Sequence, residues 1–188
     1  MKRAERGNRG ALALVSGGLD STVSLALAVE RGIAAAVLFF DYGQKARRAE
    51  LSAARRLAAH YALPFELIDL PWLGRLSASA LVEGGAPLPH PAAPDLDDPM
   101  SGASRAVWVE NRNGIMLNAA AAVAAARGLE TIIVGFNREE AAAFPDNGPA
   151  FLDAVNASLA LGVRCNLTVA SPTIAMDKGE IVCEGVRL

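Results

Sequence analysis

One short segment limits the fold of this chain more than any other. The apolar run Ala11-Leu12-Ala13-Leu14-Val15 passes directly into Ser16-Gly17-Gly18-Leu19-Asp20-Ser21-Thr22, and Val23 to Ala28 follow with the composition of a buried helix. An apolar run of this length reads as a strand buried on both faces, as in a parallel sheet. The glycine pair lets backbone N–H groups come close to an anion, and the helix start beyond it supplies unpaired donors and a partial positive charge. Ser16, Ser21 and Thr22 add hydroxyls. No lysine stands in the turn, so it is not the Gly-Lys-Ser/Thr phosphate loop. Asp20 has two candidate roles, holding magnesium near bound phosphates or capping the helix.

The rest of the chain alternates in the same way. Strands are expected at Ala11–Val15, Ala35–Phe40, Phe65–Leu70, Thr131–Phe136 and Leu167–Ser171. Helices are expected at Ser21–Arg31, Ala46–Tyr61, Asn113–Arg127, Pro149–Leu161 and Asp177–Glu184. This order predicts an α/β fold, a doubly wound five-stranded parallel sheet in a single domain over residues 1–188, with residues 11–31 as its phosphate-loop unit. In the second helix Leu51, Ala54, Leu57, Ala58 and Tyr61 share one face, while Arg47, Arg48, Arg55 and Arg56 keep mostly to the other, a solvated face. Pro149 stands at a first helical position, and Asp177 with Glu180 has capping-box spacing. Residues 83–104 break the alternation with five prolines and three glycines, and are expected to form an irregular flap that closes over substrate.

Composition narrows the function classes. The 188 residues suit one domain, and 52% are hydrophobic, many of them alanines that suit tightly packed helices. A net charge of −2 gives no basic field for direct nucleic-acid binding. The basic start lacks the apolar core of a signal peptide, and the alanine-rich stretch Asn118 to Arg127 is too short to span a bilayer, so a cytoplasmic protein without membrane partners is expected. Cys165 and Cys183 are far apart and read as small apolar residues. His60 and His90 have no partner at ligand or triad spacing.

In open α/β sheets ligands lie beyond the carboxyl ends of the strands. Those ends carry the phosphate loop, then Asp41-Tyr42-Gly43-Gln44, then Asn137 to Glu140 with Phe144-Pro145-Asp146-Asn147, then Ser171-Pro172-Thr173 with Lys178 in the next helix. Asp41 and Gln44 are candidates for ordering a nucleotide pocket, or plain turn residues. Lys178 and Arg112, the latter between two asparagines at a helix start, are candidates for a cationic clamp on phosphates, with a solvated surface role as the alternative.

The heptad at 16–22 resembles the pyrophosphate loop of the N-type ATP pyrophosphatases, which transfer AMP to a substrate oxygen. Taken with FDYGQ (40–44), NRNGIMLNAAAA (111–122), IVGFN (133–137), FPDN (144–147) and SPTIAMDKGEIV (171–182), the chain resembles the 7-cyano-7-deazaguanine synthase family over nearly its whole length. The resemblance implies a cytoplasmic C–N ligase of queuosine biosynthesis, a tRNA modification pathway. Such an enzyme converts 7-carboxy-7-deazaguanine and ammonia, with ATP and Mg2+, through an acyl-adenylate and an amide to the nitrile. Related alternatives are another adenylating ligase, a tRNA sulfurtransferase, or an ATP-binding partner module without catalysis. ATP would be held by Leu14, Val15, Ser16, Gly17, Gly18, Leu19, Asp20, Ser21 and Thr22, with Asp41 and Gln44. Asp20, Lys178 and Arg112 would be catalytic. Asp146 would accept from the N1–H and exocyclic amine of the deazaguanine and Phe144 would stack on it, unless 145–148 is an ordinary turn. The family implies a homodimer and a zinc ion on a tail with four cysteines; the sequence reaches Leu188 before any such motif, so no zinc ligands are named. It also departs from the family at Ala141–Asn147, where a segment of the type Tyr-Ser-Gly-Tyr-Pro-Asp-Cys is usual.

Overall fold

The computed structural model describes residues 10–89 and 102–188. Five strands form one sheet: β1 (Ala11–Leu14), β2 (Ala34–Asp41), β3 (Phe65–Asp69), β4 (Thr131–Ile133) and β5 (Thr168–Ala170). Their order is β3-β2-β1-β4-β5 and every pairing is parallel. The chain therefore reverses its direction of winding between β1 and β4, and the crevice there is where such sheets bind ligands.

Strand periodicity decides which helices cover which face. Leu12, Leu38, Ile132 and Val169 point to one side and pack against α5 (Arg112–Ala126) and α7 (Pro149–Gly162) through Leu117, Ala121, Leu152 and Val155. Ala11, Ala13, Val37, Phe39 and Ile133 point to the other side, against α1 (Leu19–Glu30) and α2 (Arg47–His60) through Leu25, Ala28, Ala54 and Ala58. Alanines on both partners let α1 and α2 lie close to the sheet, which is where the alanine content goes. The arginine face of α2 is exposed, as its periodicity predicts.

Four shorter helical segments complete the described residues: α3 (Pro71–Leu76), α4 (Gly102–Ala106), α6 (Arg138–Ala143) and the 3-10 turn Pro145–Asn147. None of them is in the sequence reading, because each is too short to show a helical period. The expected flap at 83–104 lies outside the described residues between 90 and 101, as does His90. At its far end Gly102–Ala106 is helical, not irregular. Last comes α8 (Lys178–Arg187), whose buried Ile181 packs on Val23 and Leu27 of α1.

Two boundaries differ in ways that matter for the site. Helix α1 begins at Leu19, two residues earlier than expected, because Gly18 has the extended backbone of an N-cap. Strand β4 stops at Ile133, three residues early, and Val134, Gly135 and Phe136 turn toward the crevice.

Candidate active site

A cavity of about 300 Å³ opens at the carboxyl ends of β1, β2 and β4. Its floor is Leu14, Val15, Leu38, Phe39, Phe40 and Val134; its rim carries Ser16, Gly18, Asp20, Ser21, Gln44, Glu50, Arg112, Asn113, Glu140 and Asn147. Apolar walls with a few converging polar groups are the usual make-up of a small-molecule site.

The phosphate loop is held in shape by its own serines. Ser16 N–H donates to Ser21 Oγ at 3.3 Å, Gly18 N–H to Ser16 Oγ at 3.4 Å, and Ser21 Oγ–H to Gly18 O at 3.1 Å. The first intrahelical bond runs from Thr22 N–H to Gly18 O at 3.0 Å, so the N–H groups of Leu19, Asp20 and Ser21 have no partner one turn back. Gly17 has φ +81°, and a Cβ there would stand 2.5 Å from Ala53 Cβ of α2. Gly135 is equally tight and against backbone, since its Cβ would meet Ser21 N at 2.5 Å and Asp20 C at 2.7 Å. The exit of β4 thus lies directly on the start of α1.

Asp20 is not a helix cap. Gly18 occupies that position, and no side chain caps α1. Asp20 Oδ2 accepts from Lys178 Nζ at 2.6 Å, and the same ammonium lies 2.7 Å from Glu140 Oε1. Burial pulls the Lys178 ammonium toward lower pKa, but the hydrogen bonds to Asp20 and Glu140 outweigh it and hold the group above its ordinary value. Lys178 is the first residue of α8, whose start is fixed by the capping box expected from sequence. Glu180 N–H donates to Asp177 Oδ1 at 2.8 Å, and Asp177 N–H to Glu180 Oε2 at 2.9 Å.

Asp20 Oδ1 is buried with no hydrogen-bond partner among the described residues. Magnesium is commonly held by one or two carboxylates together with substrate phosphates. A buried, unpartnered carboxylate oxygen on the rim beside a phosphate loop fits that ion. Zinc is a different matter. The described residues include no group of three or more His, Cys, Asp or Glu able to hold a metal, and Cys165 and Cys183 are both free thiols, so these residues do not fit a zinc site.

Across the cavity the contacts are of another kind. Arg112 donates to Tyr42 Oη at 3.3 Å and lies over its ring, with Cζ 5.7 Å from the centroid. Asn113 Nδ2 donates to Asp146 O at 3.2 Å and to Asn147 Oδ1 at 3.4 Å. Phe144 stacks on Trp108, centroids 5.9 Å apart and planes at 14°. Asp146 is half-buried; burial pushes its carboxyl above the ordinary value, and nearby Arg112 pulls it partly back.

Of the residues expected to hold a nucleotide, Leu14, Val15, Ser16, Gly18, Asp20, Ser21 and Gln44 line the cavity. Gly17, Leu19, Thr22 and Asp41 do not. Gly17 faces α2, Leu19 is 42% exposed, and the Thr22 hydroxyl donates to Gly18 O at 2.8 Å. Asp41 is ion-paired with Arg47, accepts from Gly43 N–H at 3.1 Å, and lines a separate hollow with Asp69 and Arg75. Arg112 lines the main cavity, and Lys178 reaches it through Asp20 and Glu140. Phe144 and Asp146 are not among its lining residues, whereas the adjoining Asn147 is. Sequence reasoning gave no role to Tyr42, Glu50, Asn113, Gly135 or Asn147. Glu50 had a usable signal: the buried Gln44 amide needs a partner, and its Nε2 donates to Glu50 Oε2 at 3.0 Å.

Residues 10–188 match the family model described as "Queuosine biosynthesis protein QueC". The chain belongs to the QueC family. It is 50% identical over 179 residues to a 7-cyano-7-deazaguanine synthase of Desulforudis audaxviator and 46% identical over 179 residues to one of Pelotomaculum thermopropionicum. Each match covers 94% of this chain and 81% of the relative. Among solved structures, a predicted tRNA methyltransferase subunit from Methanocaldococcus jannaschii superposes with a TM-score of 0.58 at 14% identity, covering 93% of this chain and 73% of that one. That likeness concerns the fold alone. In this member of the QueC family the segment expected to touch substrate, Ala141–Asn147, is the end of α6 and the 3-10 turn after it.

Proposed function

We propose that this chain is an ATP-dependent 7-cyano-7-deazaguanine synthase acting at the β1–β4 crevice. The observation that carries the reading is the lysine-free loop Ser16–Thr22, opening on a cavity whose far side holds Arg112 and Asn113. Family membership and the names of the relatives support it. A carboxylate is a poor electrophile because ammonia cannot expel oxide. Attack of a carboxylate oxygen on the α-phosphorus of ATP expels pyrophosphate and leaves an acyl-adenylate. Ammonia displaces AMP and gives the amide, and a second activation, at the amide oxygen, lets that oxygen leave with AMP as the nitrile forms.

The side chains divide this work. The N–H groups at the start of α1 and the serine hydroxyls receive the departing pyrophosphate, and Lys178 and Arg112 offset its charge. Asp20, through its free oxygen, would hold magnesium, which supplies charge neutralisation for the phosphates. Gln44, fixed by Tyr42 N–H at 2.9 Å and by Glu50, shapes the nucleotide side. Asp146 receives the base edge beside Asn147. The same reading carries a cytoplasmic homodimer with small-molecule ligands and no direct nucleic-acid partner; the net charge of −2 supports the last point, and no helix among the described residues is long and apolar enough to cross a membrane.

Mass spectrometry after incubation with ATP, ammonia and 7-carboxy-7-deazaguanine tests the proposal. The nitrile, AMP and pyrophosphate are expected. ADP and phosphate as the only nucleotide products, or ATP bound and left intact, would overturn it.

A further inference from the structure

Three helices meet at a single ammonium. Lys178 at the start of α8 is gripped by Asp20 of α1 and by Glu140 of α6, and both carboxylates line the cavity. The lysine side chain is 38% exposed, so solvent alone could satisfy it. A long stem with three rotatable donors samples many rotamers unless a second partner fixes its direction.

Glu140 is built to be that partner. Its N–H is held by Oδ1 of the fully buried Asn137 at 2.9 Å. The residues around it are stitched to the start of α8: Arg138 N–H donates to Met176 O at 2.9 Å, and Lys178 N–H donates to Glu139 Oε1 at 3.0 Å. Arg138 also reaches Asp177 Oδ2 at 2.8 Å. The carboxylate of Glu140 and the stem of Lys178 therefore leave one rigid joint from its two sides. We propose that Glu140 is a positioning residue that aims the Lys178 ammonium at the phosphate loop and acts on the nucleotide through Lys178. The inference rests on the adenylation reading of the same site, to which it adds a residue.

The test is a double-mutant cycle with Glu140→Gln, Lys178→Ala and the double variant, assayed for pyrophosphate release and titrated with magnesium ATP alone by calorimetry. Glu140→Gln keeps shape and loses charge. It is expected to lower kcat roughly tenfold with KM for the carboxy-deazaguanine unchanged, a loss that leaves binding of the acid untouched. Lys178→Ala should lose more, and the double variant no more than Lys178→Ala. Glu140→Asp, which restores the charge on a shorter stem, should recover part of the rate. A loss from Glu140→Gln that persists in the Lys178→Ala background, or a wild-type kcat for Glu140→Gln, overturns the inference. If the wild type makes no product from the acid, the adenylation reading fails, and the ATP titrations still decide about Glu140. Weakening by Glu140→Gln in the wild type but not in Lys178→Ala supports it; equal weakening in both overturns it.

Discussion

The two sides of the cavity are assembled by different forces. At the phosphate corner, segments from α1, α6 and α8 are joined through charged groups at short range, Lys178 at 2.6 and 2.7 Å from two carboxylates. On the opposite side the contacts are longer and mostly neutral: Asn113 to Asp146 O at 3.2 Å, Asn113 to Asn147 at 3.4 Å, and a ring stack between Trp108 and Phe144. Hydrogen bonds between charged groups are about twice as strong as neutral ones and fix direction more tightly. The first side suits a polyanion whose geometry does not vary. The second suits a flat heterocycle, recognised by its edge and able to shift slightly between acid, amide and nitrile.

The sharpest way to break this comparison is Asp20→Ala. Turnover should fall on the order of 10²-fold or more, since a misplaced positioning group costs at least that. The melting temperature should hold, because Gly18 and not Asp20 stands at the helix cap. A fall in melting temperature with activity kept would mean that the corner is structural. Asp146→Asn probes the other side. A carboxylate accepts from both N1–H and the exocyclic amine, and one unpaired donor costs about 1–3 kcal/mol, so affinity for the deazaguanine acid should drop roughly ten- to a hundredfold while ATP affinity stays. Separate calorimetric titrations read both. Unchanged affinity for the acid would return Asp146 to an ordinary turn.

The pH dependence sharpens the same point. Burial, opposed in part by Arg112, holds the Asp146 carboxyl above the usual aspartate value. Substrate affinity that needs the ionised form is complete above that raised pKa and is lost as pH falls through it, at a higher pH than an ordinary aspartate would give. Asp146→Asn should erase this acid limb. The stability contribution has the opposite sign: it is present below the unfolded-state pKa and is lost as pH rises through the folded one. The smallest expected effect is that of Tyr42→Phe. Removing the hydroxyl 3.3 Å from Arg112 should cost about 0.5–1.5 kcal/mol, a few-fold in affinity for ATP, with affinity for the acid unchanged. An equal loss for the acid would join the two sides into one unit.

The phosphate corner was legible in the sequence to the extent that it is contiguous. Seven adjacent residues, running from the end of a strand into the first turn of a helix, announce a loop whose geometry is local, and the five strands that carry it stand in the expected order. Partnership was not legible. Nothing in the spacing tells that Asp20 meets Lys178, 158 positions away, or that Glu140 meets the same ammonium. The opposite side was read through Asp146 and Phe144; Asn113 and Asn147 line the cavity there, and Asn113 is bonded to the Asp146 carbonyl. Short helical turns such as Pro145–Asn147 have no period to read, so Asn147 had no signal of its own. Asp41 shows the same limit: nothing in the sequence pattern tells that Arg47 pairs with it beside a separate hollow.

The capping box at Asp177 and Glu180 has a consequence for indexing. Lys178 is the first residue of its helix, and consecutive helical residues are separated by about 100° of rotation and roughly 1.5 Å of rise. A helix that began one position later would turn the same side chain to a different quadrant, away from α1. The reciprocal pair that fixes where α8 begins thereby fixes the compass bearing of a lysine that reaches across to a loop at the other end of the chain. A change at that cap would alter where the Lys178 ammonium points as well as how firmly α8 begins.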